Sequence, residues 1–172
     1  MRGTGKSLPR TTLCDIFWSG LGSFLGIALV AVLNYKLLDE SDAVLLIGSF
    51  GASAVLIFGA ISGPLSQPRN LIGGHIISAL VGVTMMQLFP NILWLAAALA
   101  VSVAIVLMHI TRTLHPPGGA TALIAVIGSE KIHALGYLYT LIPVASGALL
   151  MLLVALIVNN IHSKRQYPKF WW

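Results

Sequence analysis

Apolar residues gather along this chain in long blocks, and the breaks between blocks are short and rich in charge, glycine or proline. A helix needs about 20 apolar residues to cross the hydrocarbon core of a bilayer. Blocks at 16–37, 71–89, 92–109 and 136–158 meet that requirement, and a further one at 43–61 meets it despite Gly48, Gly51 and Gly59. The segment 114–128 reads LHPPGGATALIAVIG, and its second half alone is uninterrupted enough for an apolar helix. Hydropathy leaves it as either a re-entrant loop or a short, broken span.

Composition removes the soluble classes. Of 172 residues, 57% are hydrophobic and 9% charged, against roughly 25% charged in soluble domains. The mean hydropathy is +0.91. The formal charge of +5 does not point to nucleic acid, because the basic residues are dispersed beside apolar runs, as in membrane proteins. A lone cysteine, Cys14, excludes a disulfide framework and a cysteine-based metal cluster.

Charge also decides the broken segment. Arg2, Lys6 and Arg10 place the amino terminus in the cytoplasm, and Lys164, Arg165 and Lys169 do the same for the carboxyl tail. Lys36, Asp39, Glu40 and Asp42 then lie outside, Arg69 inside, Pro90 outside and Arg112 inside. Cytoplasmic placement of both ends demands an even number of crossings, so 114–128 must cross. The expectation is an all-α membrane protein of six spans, one transmembrane domain over 1–172 with short cytoplasmic tails. The short basic start resembles neither a cleaved signal nor a transit peptide. The expected home is a bacterial plasma membrane, with a plastid envelope as the alternative for a plant protein.

The two interrupted spans are similar. Gly51-Ala52-Ser53-Ala54-Val55-Leu56 aligns with Gly119-Ala120-Thr121-Ala122-Leu123-Ile124 at an offset of 68 residues. They occupy the second and fifth spans, so the chain divides into two three-span repeats, about 14–89 and 92–162. An odd repeat forces opposite orientations, the inverted plan of many transporters, whose paired broken helices mark the substrate site. Helices starting near Gly51 and Gly119 would then present opposed amino termini at mid-membrane, where free amides and helix dipoles favour a small anion. Ser53 and Thr121 fall in the first turn of each. No Asp or Glu lies within any predicted span, so a carboxylate cation site is unsupported.

Three ordered motifs carry a resemblance. Gly48-Ser49-Phe50-Gly51-Ala52-Ser53, Gln67-Pro68-Arg69-Asn70-Leu71-Ile72-Gly73-Gly74-His75 and His115-Pro116-Pro117-Gly118-Gly119-Ala120-Thr121 resemble the HPP family of integral membrane proteins, over roughly residues 13–159. The resemblance implies a small multi-span transporter. Plant chloroplast members are implicated in nitrite transport, so it names nitrite where the residues themselves give only a small anion. Family descriptions often count four spans, whereas charge parity gives six.

The expected function is transport of a small monovalent anion, nitrite first, without a cofactor; the alternatives are an anion channel or a structural or assembly subunit of a membrane complex. Ser49, Gly51, Ser53, Gln67, Arg69, Asn70, His75, His115, Gly118, Gly119 and Thr121 are the candidate binding residues. Hydroxyls and amides donate to an anion, Arg69 attracts it, and His115 can donate or carry a proton because imidazole titrates near neutrality. His75, His109 and His115 come from three segments without a carboxylate or cysteine, so they read as structural or polar-pathway histidines rather than a metal triad. Arg112 reads as an interfacial anchor, as do Trp18, Trp94, Tyr35, Tyr137 and Tyr139. Small-residue stripes at Gly22/Gly26, Gly74/Ser78/Gly82 and Ala96/Ala100/Ala104 favour close helix packing, within the chain or in a homo-oligomer. No GxSxG, HExxH or carboxylate dyad suggests an enzyme.

Overall fold

The computed structural model describes residues 11–38 and 40–172. Arg2, Lys6, Arg10 and Asp39, used above for topology, lie outside the described residues. The described residues are helical, without strands. Helix α1 spans Leu13–Leu37, and α2 spans Glu40–Ala54 and continues as a π-helical turn over Val55–Gly59. After a 3-10 turn at Pro64–Ser66 come α3 (Pro68–Leu88), α4 (Leu93–Ile110) and α5 (Pro116–Ile127). A short α6 (Glu130–Leu135) leads through a π-helical stretch at Thr140–Ala145, kinked at Ile142, into α7 (Ser146–Ile161).

Among the described residues, five helical segments are long and apolar enough to cross a membrane: Leu13–Leu37, Glu40–Gly59, Pro68–Leu88, Leu93–Ile110 and Thr140–Ile161. The sixth, α5, has 12 residues and is about 18 Å long at 1.5 Å per residue. It falls about 12 Å short of a hydrocarbon core of about 30 Å. Its start is fixed locally: Pro116 and Pro117 occupy its first two positions, where a missing N–H costs nothing.

The helices pack through small residues and turn large ones outward. On α1 the buried positions are Gly22, Gly26, Val30 and Asn34, one per turn, while Phe17, Phe24, Leu29 and Val32 are exposed. On α4 they are Ala96, Ala100, Ala104 and Met108, with Trp94, Val106 and Ile110 facing outward. Large exposed apolar faces are untenable in water and natural in lipid. The stripes serve packing within the chain. A Cβ on Gly22 would come within 2.4 Å of the Phe58 ring, and one on Gly82 within 2.4 Å of the Ala122 carbonyl. Helix α3 packs against both α4 and α5, α1 against α2 and α7, and α2 against α5.

Contacts between distant segments divide the chain ends into two groups. Arg165 reaches Asp15 and Phe58, Tyr167 reaches Ser66, and Arg69 reaches Thr111, so residues near 15, 58–69, 111 and 165–169 share one end of the bundle. At the other, Asp42 accepts from the Ser129 amide at 3.0 Å and also from its hydroxyl, and Thr84 meets Tyr137.

Several expectations change. Helix α2 begins at Glu40 and runs unbroken through Gly51, so no helix starts at Gly51. A glycine with ordinary helical neighbours does not by itself end a helix. Asp15, Glu40 and Asp42 fall inside first turns rather than before the spans, although none reaches mid-helix. Tyr139 is fully buried instead of anchoring at the interface.

Candidate functional site

Helix α5 begins where α2 and α3 converge, and polar side chains from all three meet there. His115, the residue before α5, is fully buried, as are His75 on α3, Ser53 on α2 and Thr121 on α5; Ser49 is nearly so. The Ser53 hydroxyl stands between the imidazoles, 2.8 Å from His75 Nε2 and 3.0 Å from His115 Nε2. The other nitrogen of His75, Nδ1, lies 2.7 Å from Thr121 Oγ1, which is 2.9 Å from Ser49 Oγ. Ser49 also donates to the Pro117 carbonyl at 3.0 Å. At the opposite end, His115 Nδ1 lies 2.9 Å from the Leu65 carbonyl. The Phe50 ring packs on His75 at a centroid distance of 4.9 Å.

That carbonyl fixes the protons of the neutral cluster. It can only accept, so His115 Nδ1 carries the hydrogen and Nε2 is a bare acceptor. Ser53 therefore donates to His115 Nε2, and its oxygen accepts from His75 Nε2–H. His75 Nδ1 is then the acceptor, and Thr121 donates to it. All these donors point towards Leu65.

Local sequence explains the convergence. Gly74 and Gly118 let α3 and α5 touch: a Cβ on Gly74 would lie 2.5 Å from His115 Cβ, and one on Gly118 would lie 2.6 Å from Ser78 Oγ and 2.9 Å from the Gly74 carbonyl. Ser49 and Ser53 are four apart on α2, hence on one face. Gly51, between them, has open space where a Cβ would stand, and Gly119 is half-buried with only Val101 nearby.

The remaining candidates sit around the cluster rather than in it. Gln67 donates to the carbonyls of Ile61 (3.0 Å) and Gly63 (2.8 Å) and accepts from the Lys169 amide (2.8 Å). Asn70 donates to the Leu114 carbonyl at 2.8 Å, and Arg69 to that of Thr111. Arg69 and Asn70 hold the segment just before His115, and Gln67 holds the loop after α2 and the tail. His109 is exposed at the end of α4. The start of α5 offers few free amides: Pro116 and Pro117 have none, and the Gly118 amide bonds the His115 carbonyl at 2.8 Å. The polar groups that gather at this helix start are therefore mainly hydroxyls and imidazoles rather than backbone amides.

Further polar residues here were hidden from sequence reasoning. The Tyr139 hydroxyl donates to the Thr121 carbonyl at 3.1 Å. Arg165, expected as a tail charge on the membrane face, is buried: it donates to the Phe58 carbonyl (3.0 Å) and Asn159 Oδ1 (2.9 Å) and pairs with Asp15 (3.3 Å). Asn159 donates to the Ile57 carbonyl at 2.8 Å. Together they satisfy the carbonyls at the carboxyl end of α2, where the helix dipole favours a cation. Tyr167 is buried beneath the tail and donates to the Ser66 carbonyl at 2.8 Å. Burial raises its phenol above the ordinary range, so it stays protonated. Beside the tail, Asp15, Ser19, Lys164, Arg165 and Lys169 line an open cavity of about 810 Å³.

An all-helical body with lipid-suited faces and a buried polar cluster defines an integral membrane protein. The chain belongs to the HPP family: residues 8–168 match the family described as HPP, transmembrane region. It is 53% identical to one transmembrane protein of Dictyostelium discoideum and 49% identical to another, in each case over 99% of its own length. It spans 56% and 61% of those relatives. No solved structure matches it.

Proposed function

We propose that the protein carries a small monovalent anion, nitrite first, across the membrane at the junction of α2, α3 and α5. One observation carries the reading. Five buried polar side chains converge on a helix start within the interior of a membrane protein, where polar groups are costly and serve transport pathways. The positive end of α5 lies at the cluster and favours an anion. Nitrite comes from the family resemblance; the residues supply only charge and size.

The architecture proposed with it is six crossings in two inverted repeats, both termini cytoplasmic, in a plasma membrane that the sequence reading takes as bacterial. The packing supports the repeats: α1 lies against α2 and α7 as α4 lies against α5 and α3. The two groups of end contacts support the crossing number. A hydrolytic role for Ser53 has less support, because its hydroxyl is enclosed between two imidazoles and no accessible oxyanion donor accompanies it among the described residues.

Purified chain reconstituted in liposomes should take up nitrite faster than protein-free vesicles. Nitrate, formate and chloride, each at several pH values, define selectivity. Absence of uptake of all four, together with no thermal stabilisation by any of them, would remove the anion reading.

A further inference from the structure

We propose that Thr121, His75, Ser53 and His115 form a directional proton relay that moves one proton with each anion. The inference rests on the anion reading and deepens it. Each link is a hydrogen bond of 3.0 Å or less, and the chain of links is continuous from Thr121 to the Leu65 carbonyl. In its neutral form every donor in the cluster is already committed to a protein acceptor, so an anion finds no free N–H or O–H. Adding a proton makes one imidazole a cation with both nitrogens protonated. That supplies the charge an anion needs, and the pair crosses as a neutral unit.

The transfer balances with water as the proton donor at the Thr121 end and as the acceptor at the Leu65 end. A proton joins the Thr121 oxygen, which releases its own proton to His75 Nδ1. His75, now a cation, passes its Nε2 proton to Ser53, and Ser53 passes its own to His115 Nε2. The charge has moved from Thr121 to His115, whose Nδ1 proton passes to water at the Leu65 end, because the carbonyl accepts a hydrogen bond but cannot take the proton. Every oxygen regains one hydrogen, both imidazoles end as the opposite neutral tautomers, and the hydrogen bonds return to their resting direction before the next proton enters.

Few other ionisable groups face this path. Helix α2 contributes hydroxyls only, α3 contributes His75, and His115 caps α5. From the stretch after α6, the Tyr139 phenol bonds the Thr121 carbonyl, and Asp42 is the carboxylate whose charge reaches Tyr139. With no carboxylate touching either imidazole among the described hydrogen bonds, the histidines hold the mobile proton.

The test uses the intact chain in liposomes, with potassium and valinomycin clamping the potential at zero and a pH dye in the lumen. Uptake of protein-free vesicles is subtracted. An outside medium one pH unit more acidic should drive nitrite to about tenfold accumulation, with lumenal acidification. Ser53→Ala cuts the relay between the imidazoles, and His115→Asn keeps a donor for Leu65 while losing the link to Ser53. Each should lower proton entry per nitrite by about tenfold or more in protein that remains monodisperse. Nitrogen-15 spectra of histidine-labelled protein in lipid should show hydrogen on Nδ1 of His115 and Nε2 of His75. Nitrite uptake indifferent to the gradient, with unchanged lumenal pH, would overturn the relay and leave the anion reading intact. So would wild-type coupling in both variants, or the opposite tautomers. No uptake under any gradient would remove the anion reading and the relay with it.

Discussion

Ser49 donates to the carbonyl of Pro117 at 3.0 Å, and the two residues are 68 positions apart. That is the offset relating Gly51–Leu56 to Gly119–Ile124 in the sequence. Residues beside a two-fold axis meet their own counterparts, so this bond supports the proposed inverted repeat where α2 and α5 cross. Phe50 and Gly118 are counterparts by the same offset. Each packs a neighbour from the third helix of a proposed repeat: the Phe50 ring lies where a Cβ on Gly147 of α7 would stand, and Gly118 lies against Gly74 and Ser78 of α3.

Cysteine labelling tests the six crossings. In a Cys14→Ala background, Asn91→Cys and Ala134→Cys should react with an impermeant maleimide from one side, and Ser163→Cys from the other. Were α5 re-entrant, Ala134→Cys would label from the side opposite to Asn91→Cys, and six crossings would be lost.

Two glycines in the motifs should respond with opposite signs. Gly118→Ala drives a methyl towards Ser78 Oγ and the Gly74 carbonyl, an overpacking expected to cost about 1–3 kcal/mol. Gly51→Ala meets open space inside a helix, and should stabilise by about 0.5–1 kcal/mol. Thermal unfolding in detergent separates them; equal effects would contradict the α3–α5 contact.

Arg165 and Asp15 should prove unequal partners. Arg165→Met leaves Asn159 Oδ1 without a donor and the Phe58 carbonyl with Ser19 Oγ alone, at about 1–3 kcal/mol for an unsatisfied buried group. The Asp15 side chain is 41% exposed, so Asp15→Asn should cost under about 1 kcal/mol. Melting temperatures should fall markedly for the first and little for the second. The reverse order would show the ion pair, rather than the capping of α2, to be what Arg165 supplies.

Tyr167 gives a pH dependence of defined sign. Its folded phenol holds its proton more tightly than an unfolded one because of burial. The stabilisation is therefore complete below the unfolded value of about 10 and fades as pH rises beyond it. Tyr167→Phe should be less stable at neutral pH by about 1 kcal/mol, and the gap to wild type should shrink above about pH 10. A gap that widens there would contradict a buried neutral phenol.

Sequence alone went furthest where the physics is one-dimensional. Long apolar blocks became helices with lipid-facing surfaces, because the length of an apolar run is itself the membrane signal. The alanine and glycine stripes became contact faces, since residues four apart share a face on any helix. The proline pair set the start of α5, but at Pro116 rather than near Gly119 as expected, because proline fits the first turn of a helix, where its missing N–H has no partner to lose. Gly51 misled: glycine permits a break without imposing one, and the packing of α2 on α5 and α1 kept the helix whole.

The hydroxyls and histidines of the cluster were thus recognisable as residue types within motifs, but their arrangement was not. The tautomer of His115 depends on a carbonyl 50 residues away, and the role of Arg165 on one 107 residues away. Backbone carbonyls occur at every position and leave no trace in the amino-acid code. Tyr139 looked like an interfacial aromatic because burial depends on what packs over a residue. Local sequence determined the spans, the start of α5 and the chemistry available. Tertiary structure alone decided which groups meet, and with them the direction of every hydrogen bond between the two imidazoles.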